Sequence, residues 1–125
     1  MLAIIAYSLA SLIGLAVVAM GATGMLKPQF YAGFGIPGTP ADDPVLNSWL
    51  TVKGGRDFGS GAMLLVAIAF GTSGVAGGVM LAAALMPVFD GLIVVRAKGP
   101  RSASFGVHFA TAAVMVAAAV LLLLV

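Results

Sequence analysis

The feature that most constrains this chain is an apolar run of 25 residues, 2–26, without a single charged side chain. A helix of about 20 apolar residues is long enough to cross the hydrocarbon core of a bilayer. Other apolar runs follow, and only 8% of the 125 residues are charged, against about 25% in a typical soluble domain. So few polar groups cannot cover the surface of a soluble protein of this size. The sequence therefore predicts an all-α integral membrane protein, with one membrane domain over residues 1–125.

Four spans are predicted, which together form a four-transmembrane-helix bundle. The first run is interpreted as a span and not as a signal peptide, because no basic residue precedes it. The helix of the second span is expected to begin before the membrane, with Asp43 as N-cap and Pro44 in the first helical position. A Gly-Thr-Ser-Gly turn at 71–74 and a Gly-Pro break at 99–100 separate the later spans. The predicted spans cover approximately residues 2–26, 50–70, 75–95 and 104–125.

The basic residues indicate how the chain is oriented. Four spans place the first and third loops on one side of the membrane, and the charged start of the second span lies there as well. The turn at 71–74, on the other side, has no basic residue. The positive-inside rule makes the basic side cytoplasmic, so we predict a multi-pass protein of the cell membrane with both termini outside the cytoplasm. The six basic residues are Lys27, Lys53, Arg56, Arg96, Lys98 and Arg101.

The first loop, residues 27–47, is too rich in aromatic residues for a free linker. One interpretation is an anchor among the lipid headgroups, helped by Trp49. The other is a lid over the cytoplasmic mouth of the bundle, and the aromatic content favours the anchor. Within the third span, Pro87 is expected to kink the helix about one turn before Asp90.

Pairs of small residues four positions apart predict close helix packing inside the membrane. They favour a tight bundle and also allow a homo-oligomeric interface between copies of the chain. The pairs are Gly55 with Gly59, Gly74 with Gly78, and Ala113 with Ala117.

Four ionisable residues, Arg56, Asp57, Asp90 and His108, are predicted to lie at one level, roughly 6–8 Å inside the cytoplasmic ends of three spans at 1.5 Å per residue. An ionisable group in lipid costs on the order of 2.5–3.5 kcal/mol at the membrane centre and less near its edge, so such groups face the bundle interior and pair. The expected pairs are Arg56 with Asp90, and His108 with either aspartate. Lys53 is expected to pair with Asp57 along one helix face. We leave Lys53 outside the site because it can reach the membrane surface.

Three functions remain open for this cluster. The first is a pocket near the cytoplasmic face that binds a lipophilic small molecule, with Asp90, His108 and Asp57 as catalytic acid–base residues for an isomerase-like or cyclase-like reaction and Arg56 as the ligand-binding cation. The second is a structural ion-pair network in a non-catalytic membrane component. The third is a proton-linked transporter, which is less favoured because the first span has no ionisable residue and the carboxylates lie far from the midplane.

Several other classes of function have little support. Asp57, Asp90 and His108 lack a metal-binding spacing, and a chain without cysteine has no disulfide or thiolate chemistry. No phosphate-binding loop, dinucleotide fingerprint or nucleophile elbow occurs. The basic residues mark topology and form no nucleic-acid platform. We therefore expect no metal, no cofactor and no nucleic acid, and membrane lipid and a lipophilic small molecule as partners.

Four motifs connect the chain to a known family. They are GFGIP at 33–37, GGRDFGSG at 54–61, MPVFDGLIVV at 86–95, and His108. In these motifs the chain resembles a group of small bacterial and fungal four-helix membrane proteins classed as a domain of unknown function, similar in layout to the DoxX-like proteins. The resemblance implies a four-helix membrane fold and no established activity. It also points to Arg56, Asp57, Asp90 and His108.

Overall fold

The computed structural model describes residues 1–125, and every regular element is helical, so the all-α prediction is confirmed. Two other helical segments accompany the α-helices. A 3-10 helix follows the first α-helix, and a π-helical segment lies within the last long helical stretch. In chain order the elements are α1 (Leu2–Leu26), the 3-10 helix (Pro28–Phe34), α2 (Pro44–Phe70), α3 (Ser73–Ala83), α4 (Leu85–Arg96), α5 (Arg101–Ala103), the π segment (Ser104–Phe109) and α6 (Ala110–Leu123).

Three helical stretches are long and apolar enough to cross a membrane. They are Leu2–Leu26, Ser73–Arg96 and Arg101–Leu123. Helix α2 is 27 residues long, but Lys53, Arg56 and Asp57 interrupt its apolar sequence. The chain is thus a helical membrane protein with three candidate spans, whereas the second predicted span, 50–70, is not clear from length and composition.

Helix α2 begins where the sequence predicts. The Asp43 side chain accepts hydrogen bonds from the backbone N–H groups of Val45 and Leu46, at 2.8 and 2.9 Å. Pro44 occupies the first helical position, where the missing N–H costs nothing. After the C-terminal end of α2, the Thr72 side chain accepts a hydrogen bond from the backbone N–H of Val75 and caps α3. Only two residues separate α2 from α3.

Helices α1 and α2 form the most extensive helix pair, because glycines let their backbones approach closely. A Cβ atom at Gly61 would lie 2.7 Å from the backbone nitrogen of Val18 and 2.9 Å from the carbonyl oxygen of Gly14. A Cβ at Gly54 would lie 2.9 Å from the Gly21 carbonyl oxygen. No residue with a side chain fits at these positions without moving the helices apart.

The small-residue pairs expected to hold the bundle together do not pack inside the chain, so that prediction is wrong for intrachain contacts. Nothing lies within 4 Å of a Cβ built at Gly59 or Gly78, and Ala113 and Ala117 are exposed. The glycines that do pack are seven residues apart on each helix, which is the repeat of two helices crossing at a small angle. The homo-oligomeric interface stays a prediction.

The third predicted span is interrupted at Ala84, three residues before Pro87, near the position where the sequence predicts a kink. Pro87 has no N–H to donate to the carbonyl of Ala83, and its ring crowds that carbonyl. Before the break, α3 packs against α2 and α6. After it, α4 packs against the π segment and α6, and hardly any of its residues contact α1 or α2. Helices α2 and α4 thus have few direct contacts, which leaves a gap between them.

The first and third loops meet at the same end of the molecule. Gly35 has φ 110°, a backbone conformation that favours glycine, and a Cβ there would lie 3.2 Å from the Val94 side chain. Gly99 packs directly against the Gly35 carbonyl. The six basic residues flank these two loops or lie in the first half of α2, as the predicted arrangement requires.

We predict that Gly61→Ala lowers the free energy of unfolding by about 1–3 kcal/mol, since the added methyl group overpacks the α1–α2 contact. Gly59→Ala on the same helix is the matched control. It adds its methyl group to open space and gains roughly 1 kcal/mol of helix propensity. Unfolding in detergent, followed by circular dichroism, measures both. Equal effects of the two substitutions would contradict the close approach of α1 and α2.

Candidate functional site

A cavity of about 300 Å³ lies between the long helices, beneath the 3-10 helix Pro28–Phe34, which we call the covering segment. Its wall is mainly apolar and includes Val17, Leu64 and Met115. Polar side chains also reach it, among them three predicted site residues. These polar residues are Lys53, Asp57, Ser60, Asp90, His108 and Thr111. A small apolar chamber with a few polar groups is typical of small-molecule sites.

Asp57 is the most fully bonded of these groups. The Tyr31 hydroxyl donates a hydrogen bond to its Oδ2 atom at 2.6 Å, and the Lys53 ammonium donates to the same oxygen at 2.7 Å. The predicted pairing of Lys53 with Asp57 is therefore confirmed. The Lys53 nitrogen also lies 4.6 Å from the centre of the Tyr31 ring and 5.3 Å from that of Phe34, within range of cation–π attraction.

Lys53 thus belongs to the site, and its exclusion on the sequence was wrong. Only 29% of its side chain is exposed, because the carboxylate and two aromatic rings hold the ammonium inward. Spacing carries the missing signal: Lys53, Asp57, Ser60 and Leu64 repeat every three or four residues, so they share one face of α2 and all line the cavity.

Arg56 lies outside this face. It is exposed, does not line the cavity, and makes no ion pair with Asp90. Successive residues of a helix are rotated by about 100° about its axis. Arg56 therefore points away from the face of α2 that carries Lys53 and Asp57. The predicted Arg56–Asp90 pair is therefore wrong, and the cation at the cavity is Lys53.

Tyr31 fixes the covering segment onto the helices. Its ring packs against Gly24 of α1, where no side chain could fit, while its hydroxyl reaches Asp57 on α2. Burial, the hydrogen bond to Asp57 and the charge of that carboxylate all raise the pKa of the Tyr31 phenol far above its usual value. The phenol consequently stays protonated and remains a hydrogen-bond donor.

The covering segment also contacts His108, which lies in the π segment. His108 Nε2 is 2.8 Å from the carbonyl oxygen of Phe34, and the imidazole packs against the Phe34 ring with the centroids 4.4 Å apart and the planes tilted by 47°. A carbonyl oxygen only accepts, so Nε2 carries the hydrogen and Nδ1 is left free. The predicted pairing of His108 with Asp57 or Asp90 is therefore wrong. Single turns of π-helix are frequent at functional sites.

Tyr31 and Phe34 were expected among the lipid headgroups, yet both line the cavity. This arrangement corresponds to the lid, the less favoured interpretation of the first loop. Trp49, at 66% exposed, remains free to contact lipid. The unusual apolarity of the loop was the available signal, but an interfacial anchor produces the same composition.

Asp90 differs from Asp57 in having no partner. It lies one turn after Pro87, is half-buried and lines the cavity, and it makes no ion pair or hydrogen bond within the chain. Its carboxylate and the free Nδ1 of His108 are groups that commonly act as general acids and bases. No group of three or more His, Asp or Glu residues is arranged to hold a metal ion.

These features define a small helical membrane protein with an apolar cavity and a polar patch at one end. The chain belongs to the family of a domain of unknown function, DUF4267, which matches residues 14–122. The match includes every cavity-lining residue and confirms the resemblance to an uncharacterised family. The layout shared with DoxX-like proteins stays a prediction. No curated protein and no solved structure matches the chain.

Proposed function

We propose that this protein binds a lipophilic small molecule in the cavity beneath the covering segment. The observation that carries the proposal is the unpaired carboxylate of Asp90 at the wall of a mainly apolar chamber. An ionisable group at membrane depth is costly unless something compensates it. A bound molecule with a polar head would supply that compensation, and its apolar body would fill the chamber.

The gap between α2 and α4 offers a route into the cavity. Helix α2 packs against α1 but has few direct contacts with α4. Met86 and Pro87 line the cavity there, so the edge of the gap is apolar. A molecule dissolved in the inner leaflet would reach the chamber sideways, without crossing water.

The structural alternative fits a different part of the cluster. Asp57 is satisfied by Tyr31 and Lys53 and joins the covering segment to α2, which is the behaviour of a structural network. We therefore assign Asp57 and Lys53 a positioning role, and Asp90 and His108 the contacts with the ligand. Acid–base chemistry of the isomerase or cyclase type would use the latter two groups, one as base and one as acid.

We further propose that α2 also crosses the membrane, as the second of four spans, and that both termini lie outside the cytoplasm. The residues of α2 after Asp57 are uncharged through Phe70, and its charged residues belong to the end where the first and third loops meet. Pairing of Lys53 with Asp57 lowers the cost of this placement. The six basic residues then lie on the cytoplasmic side.

We expect Val17→Trp to abolish ligand binding, because Val17 lines the cavity and the indole would occupy it. Leu15→Trp is the matched control, since Leu15 lies on the same helix with 55% of its surface exposed. The probe is a decanol that carries a photoreactive diazirine, applied in phosphatidylcholine vesicles, with labelled peptides identified by mass spectrometry. We predict labelling of cavity-lining peptides that falls about tenfold or more in Val17→Trp only.

Labelling spread evenly over the exposed helix faces, and equal in both variants, would contradict the binding proposal. The structural interpretation of the whole cluster would then be the better one.

The topology is tested with single cysteines, since the chain has none of its own. We expect a membrane-impermeant maleimide to label Gly74→Cys in intact cells and Ser102→Cys only after the membrane is permeabilised. Both positions are exposed at the ends of helices. The reversed labelling pattern would contradict the proposed orientation, in which the basic loops face the cytoplasm.

A further inference from the structure

The hydrogen-bond donors around the cavity are almost all used within the chain. Four side chains there donate to acceptors of the protein itself. The donations run from Tyr31 to the Asp57 carboxylate, from Ser60 to the Asp57 carbonyl, from Thr111 to the Val107 carbonyl, and between His108 Nε2 and the Phe34 carbonyl. These groups hold the wall in place and leave few N–H or O–H groups for a ligand.

The acceptors, in contrast, are largely free. Both oxygens of Asp90 and the second carboxylate oxygen of Asp57 have no partner, and His108 Nδ1 has none either. Pro87 also leaves the carbonyl of Ala83 without its usual helical donor, and both residues line the cavity. The cavity is therefore rich in acceptors and poor in donors, and a complementary head group must donate.

The charged side chains at the cavity wall also favour a head group that donates hydrogen bonds. Lys53 offsets the charge of Asp57 at 2.7 Å, and the remaining N–H groups of Lys53 lie beside that carboxylate and two aromatic rings. No cation lies within 4 Å of Asp90. Since Arg56 lies outside the cavity, the lining contains two carboxylates and one ammonium. This surplus of negative charge opposes an anionic head group and favours a cation.

We infer that the molecule bound in this cavity is a lipophilic amine, with its protonated nitrogen donating to the Asp90 carboxylate. The inference rests on the proposed binding function and specifies the head group. An ammonium supplies both the donors and the positive charge that the site lacks, and a charge-assisted hydrogen bond is the strongest such contact. The apolar body then lies against Val17, Met20 and Leu64. Fatty acids and phospholipid phosphates would place a third anion beside the two carboxylates.

The test compares three photoreactive probes with the same decyl chain and diazirine, ending in an amine, a hydroxyl or a carboxylate. Labelling of cavity peptides is measured against probe concentration in phosphatidylcholine vesicles at pH 7, with the Val17→Trp variant as background. We expect half-saturation by the amine at about tenfold or more lower concentration than by the alcohol, and the weakest labelling by the carboxylate.

Asp90→Asn should weaken labelling by the amine far more than labelling by the alcohol, because the amide keeps a hydrogen-bond acceptor and loses only the negative charge. Asp42→Asn, an exposed aspartate of the first loop, is the matched control and should change neither. Labelling by the alcohol reports whether the Asp90→Asn chain still forms the cavity. If that variant does not fold, the order of the three head groups on the unaltered chain decides the question.

Equal or tighter labelling by the alcohol or the carboxylate would overturn the amine assignment and leave the binding proposal standing. An amine preference that survives undiminished in a folded Asp90→Asn chain would overturn the role of Asp90. Failure of all three probes to label the cavity would overturn the proposed function, and this inference with it.

Discussion

The arrangement depends on one constraint: a carboxylate close to lipid must be surrounded by donors and positive charge. Asp57 meets this requirement with two groups from different parts of the chain, Lys53 one turn earlier on α2 and Tyr31 in the covering segment. Satisfying the carboxylate therefore also pulls the first loop over the ends of the helices. The roof of the cavity is a consequence of the way this single charge is compensated.

Asp90, unlike Asp57, has no donor or cation bonded to its carboxylate. Helix α4 has few contacts with α2, and no side chain of α2 pairs with Asp90. The separation of α2 and α4 leaves room for the chamber and leaves this carboxylate unpaired. His108 completes the polar end, bonded to Phe34 through Nε2 and free at Nδ1. The paired aspartate belongs to the framework and the unpaired one faces the chamber, which links the fold to the binding proposal.

Much of this was predictable from the sequence, and the failures have a common cause. Long apolar runs, the cap at Asp43 and the effect of Pro87 are local, so the helices and the break follow directly. The common level of Asp57, Asp90 and His108 follows from helical rise alone. The choice of Lys53 over Arg56 depends on which way a helix faces. The partner of His108 is a backbone carbonyl 74 residues away. Spacing shows that Lys53 and Asp57 share one face of α2, but which face turns inward, and which group His108 bonds, are known only from the tertiary contacts.

Backbone amide exchange of the covering segment in lipid nanodiscs tests most directly whether Asp57 organises the site. We expect slow exchange over residues 28–34 in the unaltered chain and an increase of about tenfold or more in Tyr31→Phe, because a hydrogen bond to a charged group contributes roughly 1.5–3 kcal/mol. Tyr7→Phe, on α1 and without a hydrogen bond from its hydroxyl, controls for the loss of a phenol. Unchanged exchange in Tyr31→Phe would contradict the account, since the segment would then be held by something other than the buried carboxylate.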